Sequence, residues 1–406
     1  MEDVERYFER KGREIALINR CLASPLRLDR ARSVAEIIDC KFRIAGALRG
    51  ERSLQSWAIT ETERPEIQKW RVGAYRFSFG YQRADLKVSG PPIYPALSVM
   101  SDGPRSETIY TSAGMSAIAS LLAALVHLRG DVRVLAHQGF YGETRELLES
   151  LAPRVTIDTL RNGVSRNARR AGEMTVLLLD ASVSDGFTDY ARCPPGNVDL
   201  VFFDTTCFWR DASRTRAVVR WASRSRLPLA LVRSHAKLDA LGIEYGRLGS
   251  IVLAWDRRVG AHAWMPELFQ AVDASVRLYG AAALPAHFPP FAGTADYDQC
   301  SVARTAAIVR ARRRMVRQLS TRCLAYDRFN TASTLRSFPA RISRYETPSG
   351  PLRRCATRCR GRVTRSSMPD RLDSISLQWS GFPNPRCGAT PSGSQAPTCR
   401  ATSSTT

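Results

Sequence analysis

"LPLALVRSHAKLDALGIEYGRLGSIVLAW", residues 227–255, sets two apolar, β-branched runs on either side of a charged, glycine-containing stretch. LPLALV (227–232) and GSIVLAW (249–255) are short and lack polar alternation, so they read as strands buried on both faces. Upstream the same texture recurs in ETIYT (107–111), VRVLA (132–136), VTIDTL (155–160), TVLLLD (175–180) and VDLVFFD (198–204). Between these runs lie segments of helical period: SAGMSAIASLLAALVHL (112–128), YGETRELLESL (141–151) and WRDASRTRAVVRWASRS (209–225). Strands that alternate with helices require crossover connections, which predicts an α/β fold around a largely parallel sheet.

Outside that region the texture differs. Residues 3–48 read as two amphipathic helices broken at ASPLRLD (23–29), where Pro25 interrupts the pattern. Residues 49–104 read as irregular, ending in the loop-like SGPPIYPALSVMSDGP (89–104). WMPELFQAVDASVRLYG (264–280) and SVARTAAIVRARRRMVRQLS (301–320) are helical in period. Beyond about residue 325 the periodicity fails. A composition of Arg, Ser, Thr, Pro and Cys cannot bury enough apolar area to offset ordering entropy, so disorder is expected there.

The 406 residues carry a formal net charge of +22, a value that invites a nucleic-acid reading. Its distribution argues against one. Residues 301–406 hold 20 arginines, no lysine and four acids, whereas the first 300 residues are close to balanced. The tail has few aromatics for base stacking, and only weak, charge-driven contact with nucleic acid is expected of it. The longest apolar stretch, AIASLLAALVHL (117–128), is too short to span a bilayer, so no membrane association is expected. The N-terminus is charged throughout and resembles no secretory signal, which makes the cytoplasm the expected compartment. Of the ten cysteines, those of the body (Cys21, Cys40, Cys193, Cys207, Cys300) are scattered and read as buried thiols. Cys355 and Cys359 have no second pair or histidine to complete a zinc site, and no metal is expected.

Several positions carry candidate chemistry. Only five of the 60 basic residues are lysines, and one of them, Lys237, follows the 227–232 strand at its carboxyl end. In parallel α/β sheets that edge binds ligands. A lysine held there among apolar neighbours would lose basicity and could attack an aldehyde to form a Schiff base; the alternative is a surface lysine on a loop. Asp204 ends the VDLVFFD strand, either as a helix N-cap or as an anion that keeps a pyridinium nitrogen protonated. Gly114 lies at a strand-to-helix turn, where free N–H groups and the helix dipole favour an anion. Tyr141 opens the next helix, as a packing aromatic or as part of the site.

Together these positions resemble one family. In AGMSAI (113–118), FYGETRELL (140–148), FFDTTCF (202–208) and SHAK (234–237), in that order, the chain is similar to the pyridoxal-phosphate enzymes of cysteine and methionine metabolism. These are the trans-sulfuration enzymes of the cystathionine synthase and lyase group. YQR (81–83) resembles the same family's Tyr-x-Arg segment. The resemblance implies a fold-type-I large domain with a mostly parallel seven-stranded sheet flanked by helices, and pyridoxal 5'-phosphate as cofactor. It implies that Lys237 holds the cofactor as an internal aldimine and later moves protons at the substrate carbons. Asp204 would pair with the pyridine nitrogen, and Tyr141 would stack on the ring. Gly114, Met115 and Ser234 would hold the phosphate, with Tyr81 and Arg83 reaching in from a second copy in a homodimer or homotetramer.

The implied activity is β- or γ-elimination or replacement on an amino acid. Its alternatives are an aminotransferase of the same fold and a defective relative that binds the cofactor without turnover. On this reading residues 1–80 form a helical arm, 81–262 the cofactor-binding domain, 263–324 a helical remnant of the C-terminal domain, and 325–406 a disordered tail. Departures from the family are Ala236 in place of a threonine, ASVSDGF (181–187) without asparagine and prolines, and His235, read as a filler of the same pocket. No counterpart of the arginine that grips the substrate carboxylate is found. A reading-frame change near residues 310–330 would explain the abrupt Arg/Pro/Ser/Cys-rich sequence.

Overall fold

A computed structural model describes residues 3–60, 68–80, 87–93, 104–137, 139–160, 172–180, 197–209 and 212–320. All seven runs expected as strands take that form: β4 (Pro104–Thr111), β5 (Val132–His137), β6 (Val155–Leu160), β7 (Met174–Asp180), β8 (Leu200–Asp204), β9 (Leu229–Ser234) and β10 (Gly249–Asp256). They form one sheet in the order β4-β10-β9-β8-β7-β5-β6. β5, β6, β7, β8 and β9 run parallel, whereas β10 runs antiparallel to both β9 and β4. The single reversed strand follows from its short connection: only the 14-residue stretch between β9 and β10 separates them, and it contains no crossover helix.

Strand parity divides the core into two layers. On one face Val134, Val176, Leu178, Phe202, Val232 and Ile251 pack beneath α3 (Gly114–Arg129) and α6 (Met265–Leu278). On the other, Leu177, Leu179, Val201, Phe203 and Leu231 pack against α5 (Ser213–Arg224). Every residue of β5 and β7 is buried, so their apolar residues fall on both faces and show no alternation, while the buried Arg133 of β5 pairs with Asp158. α5 buries Thr215, Val218, Val219 and Ala222, a one-sided stripe at helical spacing, and exposes Arg216, Arg220 and Arg224. α3 is packed by both the sheet and α6, so it is apolar over most of its circumference.

Met265, Leu268, Val272 and Val276 of α6 belong to the same apolar cluster as the sheet.

Residues 49–104 depart from expectation. The second helix, α2 (Val34–Thr60), runs well past residue 48. The segment expected as a helical arm to residue 80 contains β1 (Gln68–Val72) and β2 (Tyr75–Gly80), which form an antiparallel sheet with β3 (Lys87–Ser89). Gly73 turns this hairpin at φ +55, and a Cβ there would lie 2.4 Å from the carbonyl oxygen of Ala292. Val72, Phe77, Phe79 and Val88 bury against Tyr110, Leu248 and Phe288.

α1 (Val4–Asn19) starts at Asp3, whose carboxylate accepts the Arg6 N–H at 2.7 Å. Ile15, Ile18, Ile37, Ile44 and Leu48 of α1 and α2 pack with Leu241, Tyr245 and Phe291. α7 (Ala295–Ser320) lies against α1. Of the body cysteines, Cys40 is buried, Cys21, Cys207 and Cys300 are half-buried free thiols, and Cys193 falls outside the described residues. No described helix is long and apolar enough to cross a membrane. The tail from residue 325, with the disorder and reading-frame change expected of it, lies outside the described residues.

Candidate functional site

β7 and β8 end side by side on carboxylates, because their parallel register pairs Asp180 with Asp204. Asp204 Oδ1 accepts the backbone N–H of Thr206 at 2.9 Å, closing a tight turn after the strand. It caps no α-helix: α5 begins at Ser213 behind Ala212, which makes no side-chain cap. Burial, and then the charge of Asp180, push the Asp204 carboxyl up to about 6 against the opposing hydrogen bonds from Thr206. Asp180 Oδ2 accepts the backbone N–H of Tyr141 at 2.8 Å, which ties the start of α4 (Gly142–Ser150) to the same edge. The half-buried Tyr141 phenol is pushed up, first by burial and then by Glu143, with Asp204 adding its charge.

Next to this pair lies an anion-compatible turn. Ala113, extended, precedes α3 without a side-chain cap, so the first-turn N–H groups from Gly114 onward carry the positive end of the helix dipole. A Cβ on Gly114 would lie 2.5 Å from Cβ of Ser234, so glycine is what lets α3 abut the end of β9. Gly114 and Ser234, two of the expected phosphate positions, are therefore adjacent. Met115 packs its side chain against the core, which leaves its backbone N–H as its possible contribution to an anion. The Ser234 N–H donates to Thr206 Oγ1 at 2.9 Å, joining the ends of β8 and β9.

Lys237 follows Ser234 by three residues, in the turn after β9, and is exposed. Other residues fill the interior of this turn. Arg233 points into the protein at 2% exposure and makes a bidentate pair with Asp239 (Nε–Oδ2 and Nη2–Oδ1, both 2.7 Å). Its Nη1 donates to the carbonyls of Thr205 and Phe208. One guanidinium thus clamps the turn that carries Asp204 to the turn that carries Lys237. His235 is buried as well, with Nδ1 2.7 Å from Asp239 Oδ2 and Nε2 2.8 Å from Ser250 Oγ. It fills space as expected, but as a hydrogen-bonded strut between the turn and β10. Burial holds the imidazole below its usual range. Burial works against ionisation of Asp239, yet the neighbouring Arg233 guanidinium holds its carboxyl well below the usual carboxylate range.

The arrangement brings Tyr141, Asp180 and Asp204 together, and Gly114 with Ser234. Tyr81, Arg83 and the ASVSDGF stretch (181–187) fall outside the described residues. Sequence alone did not point to the Asp180 pairing or to the Arg233–Asp239 clamp. A signal for the second was present, since an arginine in an otherwise apolar strand needs a buried partner. Among the described residues no cluster of three or more histidines, cysteines or carboxylates could hold a metal.

No protein-family model matches the chain, and no curated protein matches it in sequence. Solved structures do. An aromatic amino acid aminotransferase from Burkholderia cenocepacia matches at 15% identity and a TM-score of 0.44, over 70% of this chain and 74% of that one. Another from Burkholderia pseudomallei, covalently bound to pyridoxal phosphate, matches at 14% identity and TM-score 0.46, over 70% and 74%. An aspartate aminotransferase from Trypanosoma cruzi matches at 12% identity and TM-score 0.41, over 69% and 82%.

Proposed function

We propose that this chain binds pyridoxal 5'-phosphate at the carboxyl edge of its sheet and acts on the α-carbon of an amino acid. The observation that carries the reading is the convergence on one edge of a carboxylate pair, an uncapped helix N-terminus abutting Ser234, and a primary amine three residues further on. These residues fit the group. Asp204, whose proton affinity is raised by burial and then by Asp180, is suited to hold a proton on a neighbouring ring nitrogen. The α3 N-terminus suits a phosphate. When bound, the group supplies an electron sink for negative charge developing at the substrate α-carbon.

Lys237 is the residue assigned to carry the group, since an amine can form a Schiff base and guanidinium, which keeps its protons, cannot. Its exposure leaves the side chain free to reach both the group and a substrate proton. Asp204 would hold the proton on the ring nitrogen, with Asp180 strengthening that hold and fixing Tyr141 over the edge through its backbone N–H. Arg233 takes no part in substrate recognition on this reading, because its donors are committed to Asp239, Thr205 and Phe208. Tyr81 and Arg83 of a second copy would complete the phosphate site of a homodimer or homotetramer. The finer chemistry is elimination or replacement of the trans-sulfuration type, with transamination as its alternative.

The test is to incubate the full chain with pyridoxal phosphate, reduce with borohydride, and map the labelled peptide by mass spectrometry. A single label on Lys237 is expected; label spread over Lys11, Lys41, Lys69 and Lys87, or none on folded protein, would overturn the reading. Products then separate the chemistries. Keto acid with ammonia from a sulfur-containing or hydroxyl-activated amino acid marks elimination, and keto acid with pyridoxamine phosphate marks transamination. A labelled chain that turns over neither substrate is the defective relative.

A further inference from the structure

Far along the sequence from the sheet edge, α1 and α7 enclose a second concentration of charge, of the opposite sign. Glu14 is fully buried, and four cations surround its carboxylate: Arg10 and Lys11 at 2.9 Å, Lys41 at 3.1 Å and Arg304 at 3.4 Å. One carboxylate cannot neutralise four cations. Lys41 also donates to the Leu241 carbonyl at 3.0 Å, but Arg304 Nε is buried without a hydrogen-bond partner. Burial, with Arg304 and Lys41 adding to it, pushes the Lys11 ammonium down to about 8, the direction expected where positive charge is in excess.

This cluster backs onto a groove of about 590 Å³ between α1 and α7, lined by Arg6, Glu9, Arg10, Arg13, Arg310 and two alanines of α7. Arg10 belongs to both, being 8% exposed, paired with Glu14 and lining the groove. Within the groove only Glu9 opposes the arginines, and outside it Asp3 lies 3.6 Å from Arg6. Among the described residues, the charges of groove and cluster together leave a positive excess. A volume of several hundred Å³ is the size of a small-molecule site, and guanidinium forks match phosphate oxygens in pairs.

We propose that the groove between α1 and α7 binds a multiply charged phosphate anion. The chain's C-terminal tail is of the wrong charge to complement it, because residues 321–406 contain 14 arginines and only four acids. Phosphate could be presented by a small polyphosphate or by a nucleic-acid backbone, and the groove's limited volume favours the former. This inference is independent of the cofactor reading: it uses other residues and survives if that reading fails.

Hydrogen exchange on the full chain, with and without inorganic tripolyphosphate at physiological ionic strength, resolves where the anion sits. Peptides from α1 and α7 should gain protection together, and the double substitution Arg13→Ala and Arg310→Ala should weaken binding at least tenfold. Both side chains are exposed, so the variant should fold as the parent does. Arg277→Ala, on the exposed end of α6, should leave binding unchanged. Protection confined to residues 321–406, equal weakening by Arg277→Ala, or no binding by folded protein would each overturn the proposal. So would protection of α1 and α7 by a single-stranded oligonucleotide but not by tripolyphosphate.

Discussion

Two groups of charge lie on adjacent strand ends at the carboxyl edge of the sheet, and they differ in balance. Arg233 and Asp239 meet as equal and opposite charges, with His235 and two backbone carbonyls taking up the remaining hydrogen bonds. Asp180 and Asp204 instead bring two like charges into register, and Asp204 responds by holding its proton more tightly. A matched pair stabilises the fold only through its geometry and offers a ligand nothing. A mismatched pair is a local cost that a cation can relieve. The balanced group ties the turns together, and the like-charged one is where the proposed cationic ring would sit.

The sharpest way to break that distinction is to remove Arg233. Arg233→Met leaves Asp239 charged and buried and strands the carbonyls of Thr205 and Phe208. Breaking a buried pair from one side costs about 3–5 kcal/mol, which urea denaturation would read directly. Adding Asp239→Leu to the same chain should restore most of the loss, since replacing both partners with apolar groups removes the uncompensated charge. A loss below about 1 kcal/mol for the single change would mean that the clamp is not scaffold.

Gly114→Ala probes the boundary between the two groups. Its Cβ would fall 2.5 Å from that of Ser234, so either α3 or β9 must shift. Overpacking of this kind costs about 1–3 kcal/mol. Ser234→Gly in the same chain should recover stability but not any phosphate binding lost at the turn, which separates the packing role of the pair from its role toward an anion.

How much of this was legible in the sequence follows from which forces are local. Seven apolar runs specified seven strands, because strands buried on both faces leave an unmistakable run, and the intervening helices specified the parallel sheet. The β1–β2 hairpin was legible too, in the alternation of YRFSFG and the glycine of RVGAY, but it lay among proline-rich stretches that read as loop. α6 was recognised as a helix, yet nothing in WMPELFQAVDASVRLYG says which surface it covers, since that is decided by the sheet and α3. At the site, Asp204 could be read because it ends an apolar run, whereas Ser234 was reached only through the family resemblance of SHAK. The pairing of Asp180 with Asp204 could not be read, since it depends on register between strands more than 20 residues apart in sequence. The exposure of Lys237 was equally hidden. Its neighbours suggested an apolar setting, but Arg233, His235 and Asp239 occupy the interior of that turn.

Asp204→Asn tests the unbalanced pair with the smallest expected change in stability. Asn keeps the acceptor for the Thr206 N–H and removes the charge that opposes Asp180. In the parent, Asp204 rises from an ordinary carboxyl value of 3.8 to about 6 on folding, so between those values the folded chain binds more protons than the unfolded one. Stability from this group is therefore greatest below about pH 4, declines as pH rises towards 6, and stays reduced above it. The substitution should remove that decline and leave the variant more stable than the parent at pH 8. Denaturation midpoints at pH 4.5 and pH 8 give the comparison. Saturating pyridoxal phosphate should reverse the ranking at pH 8, because a cationic ring beside Asp204 converts the repulsion into attraction in the parent alone. Should the ligand stabilise both chains equally, the carboxylate pair does not face the ring, and the unbalanced charge serves another cation.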